Sequence, residues 1–144
     1  MNIIYDLIII GAGPAGVSAA IYASRQKLNI LMLSKDMGGQ VARKAVDIEN
    51  YPGFEKISGP DLAGIFEKQL KKNEVKVTID EVLKVKKTDD KFIISTESGE
   101  EYESLSVLVA SGADPRPLEA PGEKEFIGKG VSYCSLCDGP VFKD

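Results

Sequence analysis

The sequence predicts an α/β domain with a central parallel sheet and a small antiparallel β-meander. Three observations carry this. A β-branched run at residues 3–10 ends in glycine, and a helical pattern and a second apolar run follow within about 30 residues. Three short strand patterns between residues 82 and 103 are separated by turn signals. Residues 105–110 (LSVLVA) then form another buried-strand run.

Taken in order, residues 3–10 (IIYDLIII) are apolar on both faces, as expected of a central parallel strand covered by helices. Residues 14–26 read as a helix. Pro14 suits its first turn, and Val17, Ala20, Ile21 and Ser24 share one side. Small residues (Ala15, Gly16, Ala19, Ala20) are expected to face the strand and let the helix approach. Residues 29–33 close a β-α-β unit with a right-handed crossover. Residues 34–59 read as a long irregular stretch containing Gly38-Gly39-Gln40 and Asn50-Tyr51-Pro52-Gly53-Phe54. Such loops are usually functional or disordered, and the aromatic residues favour an ordered binding loop.

A helix over 61–73 follows Ser58-Gly59-Pro60, with Leu62, Ile65, Phe66, Gln69 and Leu70 as its buried stripe. Residues 75–79 are a strand. Segments 82–86, 92–95 and 101–103 make the meander, split by Thr88-Asp89-Asp90 and Ser98-Gly99-Glu100. The strand at 105–110 ends at Ser111-Gly112. Pro115, Pro117, Pro121 and Gly122 then make a stiff connector.

The 144 residues suit one domain with the start of another, divided as 1–112 and 113–144. A net charge of −4 argues against a sequence-independent nucleic-acid binder. No segment approaches the roughly 18 apolar residues that span a bilayer. The N-terminal run lacks a basic segment and is too short for a signal peptide, so the expectation is a cytoplasmic protein with no membrane contact. Two closely spaced cysteines do not make a secreted disulfide scaffold.

Gly11-Ala12-Gly13-Pro14-Ala15-Gly16 sits between the first strand and its helix, the context that turns a weak glycine signal into a dinucleotide motif. Gly11 permits the tight turn, Gly13 lets the backbone approach a pyrophosphate, and Gly16 lets helix and strand pack closely. The helix N-terminus adds N–H groups and a positive dipole end. The acid expected to bind a ribose hydroxyl is less defined. Ser34 stands where the second strand is expected to end, and Asp36 lies close behind it. Asp36 is placed to serve, backbone groups could serve instead, and a solvated loop acid is an equal reading. No arginine stands there for a 2′-phosphate, which disfavours NADP but does not separate NAD from FAD.

Cys134 and Cys137 have the spacing that closes a disulfide at a helix start, where a thiol pKa is depressed. Zinc needs about four ligands, and a chain without histidine or a third cysteine supplies them only as a dimer, so no metal is expected. Two inert core thiols are the other alternative. The redox pair is preferred because Asp138 follows directly and a dinucleotide motif precedes.

The set GAGPAG, GGQ, ENYPGF, ASGADPRPLEAPGE and CSLCDG resembles the thioredoxin reductase family of low-molecular-weight flavoproteins, along the whole chain and in the right order. The resemblance implies a Rossmann-like domain with FAD at the first glycine motif. Gly38, Gly39 and Gln40 would border flavin and pyrophosphate, and Asn50 would lie near the flavin ring. Ala110-Ser111-Gly112 matches a second FAD-contacting turn usually written ATG. It further implies that electrons pass from NADPH through FAD to the disulfide and on to thioredoxin. Cys137 would face the flavin, Cys134 would attack the partner, and Asp138 would be the general acid–base. A helix N-terminal charge is the other reading of Asp138. A homodimer is implied for the full-length form.

In that family the CxxC belongs to an inserted NADPH domain. Here no second GxGxxG and no basic cluster is present, so a fragment is expected, inactive alone, with residues 113–144 lacking packing partners. A stand-alone FAD-binding module is the alternative. A relative serving a peroxiredoxin carries an additional N-terminal dithiol domain, and ferredoxin–NADP reductases of this architecture lack the CxxC.

Overall fold

A computed structural model describes residues 3–44, 47–135 and 139. The chain divides into two units, Met1–Gly112 and Ala113–Asp144. The first contains β1 (Ile4–Ala12), α1 (Pro14–Arg25), β2 (Ile30–Met37), α2 (Gln40–Lys44), α3 (Gly59–Lys72), β3 (Lys76–Ile79), β4 (Val82–Lys87), β5 (Phe92–Thr96) and β6 (Glu101–Val109). All six strands form one sheet in the order β3-β2-β1-β6-β5-β4. The first four in that order are parallel, and β6, β5 and β4 are antiparallel. No helix among the described residues is long and apolar enough to cross a membrane.

The expected strands at 101–103 and 105–110 are a single strand, β6. Nothing between them can turn the chain. Ser104, fully buried, pairs with Tyr5 on one side and Phe92 on the other. Parallel sheet and meander therefore share β6 as a common strand.

The first strand was expected to be covered by helices, and only one of its faces is. Ile9, Ala12, Ile30 and Met32 pack with Val17, Ala20 and Ala23 of α1 and Leu62, Phe66 and Leu70 of α3. The opposite residues Tyr5, Ile8, Leu31 and Leu33 pack with Ile94 of the meander, flanked by Val82, Phe92 and Tyr102. An unbroken apolar run reports that both faces are buried, not by what.

Other boundaries move for local reasons. β1 runs through Gly11 to Ala12 because a bulge there lets the ladder resume at Ala12–Met37. β2 runs on to Met37, so Ser34 lies within the strand rather than at its end. Residues 34–59 are less irregular than expected. They hold the end of β2, α2, and a bridge between Ile48 and Ile57 that closes the intervening loop. On α1, Ala15 is exposed and Ala23 is buried, so Ala15 does not face the strand. On α3 the buried stripe is Leu62, Ala63, Phe66 and Leu70, while Gln69 is exposed. Ser58 caps α3, accepting from the Asp61 amide at 3.2 Å.

In the second unit, the proline-rich stretch leads into α4 (Glu123–Phe126). The buried Glu123 carboxylate accepts from the amides of Leu118 (2.7 Å) and Glu119 (2.6 Å), closing the chain over the helix start. A bridge joins Ile127 and Val131.

Candidate functional site

The chain steps from β1 out to β3, then returns through the meander to β6 on the other side of β1. The carboxyl ends of β1 and β6 therefore flank the point where the strand order reverses, where open α/β sheets bind ligands. The glycine motif lies at the first end and Ala110-Ser111-Gly112 at the second.

The three motif glycines differ in what requires them. Gly11 has φ +108°, and a Cβ there would lie 2.3 Å from the Ala110 carbonyl oxygen, so the two turns touch backbone to backbone. A Cβ on Gly16 would lie 1.9 Å from the Gly11 carbonyl oxygen and 3.5 Å from Ile9 Cγ2. That is the close helix–strand contact read from the sequence. A Cβ on Gly13 would meet no protein atom nearer than the Gly38 carbonyl oxygen, at 4.0 Å. Protein packing does not demand glycine there.

α1 begins at Pro14, with Gly13 as its N-cap and no side-chain cap. Its first turn carries no acidic residue, so the positive dipole end has no carboxylate against it. Gly38 and Gly39 face this terminus. The Gly38 amide donates to the Ala12 carbonyl at 2.9 Å. Gly38 is buried, and a Cβ on it would lie 2.6 Å from Ala63 Cβ, so packing against α3 accounts for this glycine. Gly39 stands nearer the opening, its Cβ position 3.6 Å from Gly13 Cα. Gln40 starts α2 and is exposed.

Ser34 is buried and ties the elements together. Its hydroxyl accepts from the Ala12 amide at 3.0 Å and donates to the Asp36 carbonyl at 2.7 Å. Asp36 pairs with Arg43 Nε at 3.2 Å. The expectation that no arginine stands here is thus corrected: α2 carries Arg43 back to the end of β2, a placement that required knowing α2 exists. Asn50 is exposed in the bend after Ile48. Tyr51 beside it packs on Phe66 of α3, ring centroids 6.0 Å apart, and anchors that loop.

A small pocket of about 120 Å³ opens beside these turns, lined by Gly11, Ser34, Lys35, Glu81, Val82 and Ser111 among others. Lys35, Glu81 and Val82 are the residues that sequence reasoning missed. The turn at 80–81 is brought over β2 by the meander, and nothing local to it signals a site. Asp80 holds that turn. Its amide donates to the Ser34 carbonyl at 2.9 Å, and its carboxylate accepts from the Ser98 amide at 3.3 Å and from the Ser98 hydroxyl. Hydrogen bonds from Ser98, then Thr96, hold the Asp80 carboxyl below the ordinary Asp value.

In the second unit Cys134 is half-buried and disulfide-bonded, its amide donating to Ser132 Oγ at 3.1 Å. Cys137 and Asp138 lie outside the described residues.

Residues 5–144 match the family described as pyridine nucleotide-disulphide oxidoreductase. The chain belongs to that family. Within it, the chain is 44% identical over 141 residues to the thioredoxin reductase of Bacillus subtilis (strain 168), covering 97% of this chain and 44% of that protein. The crystal structure of thioredoxin reductase from Streptococcus pyogenes MGAS5005 superposes with a TM-score of 0.83 at 42% identity, over 100% of this chain and 47% of that one. A ferredoxin-flavin thioredoxin reductase from Clostridium acetobutylicum superposes with a TM-score of 0.72 at 38% identity, over 96% of this chain and 48% of that one. The chain thus spans about half the length of the relatives it matches and shares a Rossmann-like fold with them.

Proposed function

We propose that this chain is the N-terminal part of a flavin-dependent thioredoxin-disulfide reductase, taking electrons from NADPH through FAD to Cys134 and Cys137 and on to thioredoxin. The observation that supports it best is the opening at Gly13. Its Cβ position is clear of protein, Gly39 lies alongside, and the uncapped start of α1 faces it. A dinucleotide pyrophosphate fits that opening in shape and charge. Residues 1–112 would hold FAD, and 113–144 would begin the pyridine-nucleotide domain.

In this reading Gly11, Gly13, Pro14, Ala15 and Gly16 border the pyrophosphate, with Gly38, Gly39 and Gln40 opposite. Ser34 and Asp36 shape the ribose end, Asn50 stands toward the flavin ring, and Ala110, Ser111 and Gly112 close the far side. FAD, when bound, supplies two-electron transfer between a pyridine nucleotide and a disulfide. The Cys134 thiolate attacks a partner disulfide, forming a mixed disulfide and releasing one partner thiolate. Cys137 then displaces the second sulfur. Cys134 and Cys137 end as a disulfide and the partner as a dithiol, two electrons having moved. Asp138 carries a proton for this exchange, which requires a carboxyl pKa raised toward neutrality. The protein would act as a homodimer in the cytoplasm, where the partner dithiol stays reduced.

A ferredoxin donor in place of NADPH is a second reading, favoured by the likeness to the ferredoxin-flavin enzyme of Clostridium acetobutylicum. The first test is the visible spectrum of the purified chain after incubation with FAD and desalting. A flavin band near one equivalent is expected, and a colourless protein counts against it. Cys137→Ser should then trap a mixed disulfide with oxidised thioredoxin through Cys134, and Cys134→Ser should not.

A further inference from the structure

We infer that Glu81, on the turn between β3 and β4, is the carboxylate that reads the ribose hydroxyls of the adenosine half of the dinucleotide. The inference rests on the FAD reading above. Dinucleotide folds commonly place this acid near the end of the second strand. In the second half of β2 the Ser34 hydroxyl is engaged with Ala12 and Asp36. Asp36 is ion-paired with Arg43 and is not among the residues lining the pocket beside the glycine turns. Among the described residues Glu81 is the one carboxylate that does line it.

The backbone around Glu81 is fixed on both sides. The Asp80 amide is bound to the Ser34 carbonyl at 2.9 Å, and the Glu81 carbonyl accepts from the Glu97 amide at 2.8 Å. The side chain is left available. Among the described residues it pairs with Lys35 Nζ at 3.8 Å, with both side chains about half exposed (50% and 48%). Such a pair is weak and readily exchanged. A carboxylate only accepts hydrogen bonds, and a ribose cis-diol offers two O–H donors, so the two match. A 2′-phosphate in the same place would face the Glu81 charge. The turn thus favours a plain ribose over a phosphorylated one, with Lys35 as the opposing influence.

The test measures binding of ADP, 2′,3′-dideoxy-ADP and adenosine 2′,5′-bisphosphate to the chain by calorimetry, for wild type, Glu81→Gln and Asp36→Asn. Glu81→Gln should weaken ADP about tenfold, as loss of a charged hydrogen bond does. It should leave dideoxy-ADP unchanged and tighten the bisphosphate. Asp36→Asn, whose carboxylate is already paired with Arg43, should weaken ADP less than Glu81→Gln does, and the reverse order overturns the inference. Unaltered ADP binding in Glu81→Gln, or an equal loss for the dideoxy analogue, overturns the inference while the dinucleotide site stands. A wild-type chain that takes neither ADP nor FAD removes the dinucleotide reading and this inference with it. Because Glu81 is exposed, the variant's thermal melt should match wild type. Glu81→Asp, which keeps the charge, should retain part of the ADP affinity.

Discussion

Two alanine substitutions one turn apart should fail in different ways, and the contrast separates packing from ligand binding. Gly16→Ala puts a Cβ 1.9 Å from the Gly11 carbonyl oxygen and 3.0 Å from its carbon. Both atoms are backbone, so no rotamer relieves the contact. Comfortable contacts lie near about 3.5 Å, so α1 and the turn must part by more than an ångström. Val17, Ala20 and Ala23 are then pulled from β1 and β2. Overpacking costs about 1–3 kcal/mol, and backbone against backbone belongs at the upper end. Alanine returns about 1 kcal/mol of helix propensity. The net loss is about 2 kcal/mol, a fall in melting temperature of about 4–8 °C at this chain length. Gly13→Ala meets nothing nearer than the Gly38 carbonyl oxygen at 4.0 Å and should cost about 0.5 kcal/mol through the poorer N-cap. It should nonetheless weaken FAD binding. Urea denaturation followed by circular dichroism, paired with flavin retention, reads both. A Gly16→Ala protein that melts at or above wild type refutes the packing argument, and so does one that loses less than Gly13→Ala.

Ser34→Ala leaves the buried Ala12 amide without its acceptor and should cost about 1–3 kcal/mol in urea denaturation. Ser104→Ala should act oppositely. The Ser104 hydroxyl is buried without a hydrogen-bond partner among the described residues, so removing it should stabilise by about 1 kcal/mol, and a measured loss would refute that. Asp80 has a depressed carboxyl, so its contribution is complete above the ordinary value of 3.8 and is lost as pH falls below it. The stability gap between wild type and Asp80→Asn should therefore be constant above about pH 5 and shrink below it; a gap that stays flat down to pH 3 contradicts the assignment.

What was legible in the chain was whatever local pattern encodes. The glycine motif, its flanking strand and helix, and the turn signals of the meander each depend on a few adjacent residues. Gly16 is the clearest case: glycine at that spacing implied a close approach, and the approach is there. What escaped was decided over longer range. The unity of β6 depends on Tyr5 and Phe92 claiming Ser104 from both sides. The extension of β2 depends on Ser34 holding Ala12, 22 residues away. Arg43 reaches Asp36 only because five residues after the glycine pair form α2. Glycines can also mislead by position. Gly38 and Gly39 read alike as ligand neighbours, but Ala63 of α3 demands the first, whereas a Cβ on the second would meet Gly13 backbone at 3.6 Å.

The meander therefore has two duties that a mutation cannot separate cleanly. Its inner face, through Ile94 with Val82 and Phe92, is the lid over Leu31 and Leu33. Its first turn, through Asp80 and Glu81, is a wall of the pocket beside the glycine motif. Ile94 is fully buried, so Ile94→Ala should cost about 2–5 kcal/mol. Loosening that lid also frees the turn that Ser98 and Glu97 hold in place. A core substitution far from any ligand should thus weaken ADP as well as lower the melting temperature. Phe66→Ala, on the helical face, removes a comparable side chain from the opposite layer. Compared at temperatures equally far below their own melting points, the Ile94 variant should bind ADP more weakly than the Phe66 variant. Equal affinities would mean that the meander covers the sheet without shaping the pocket.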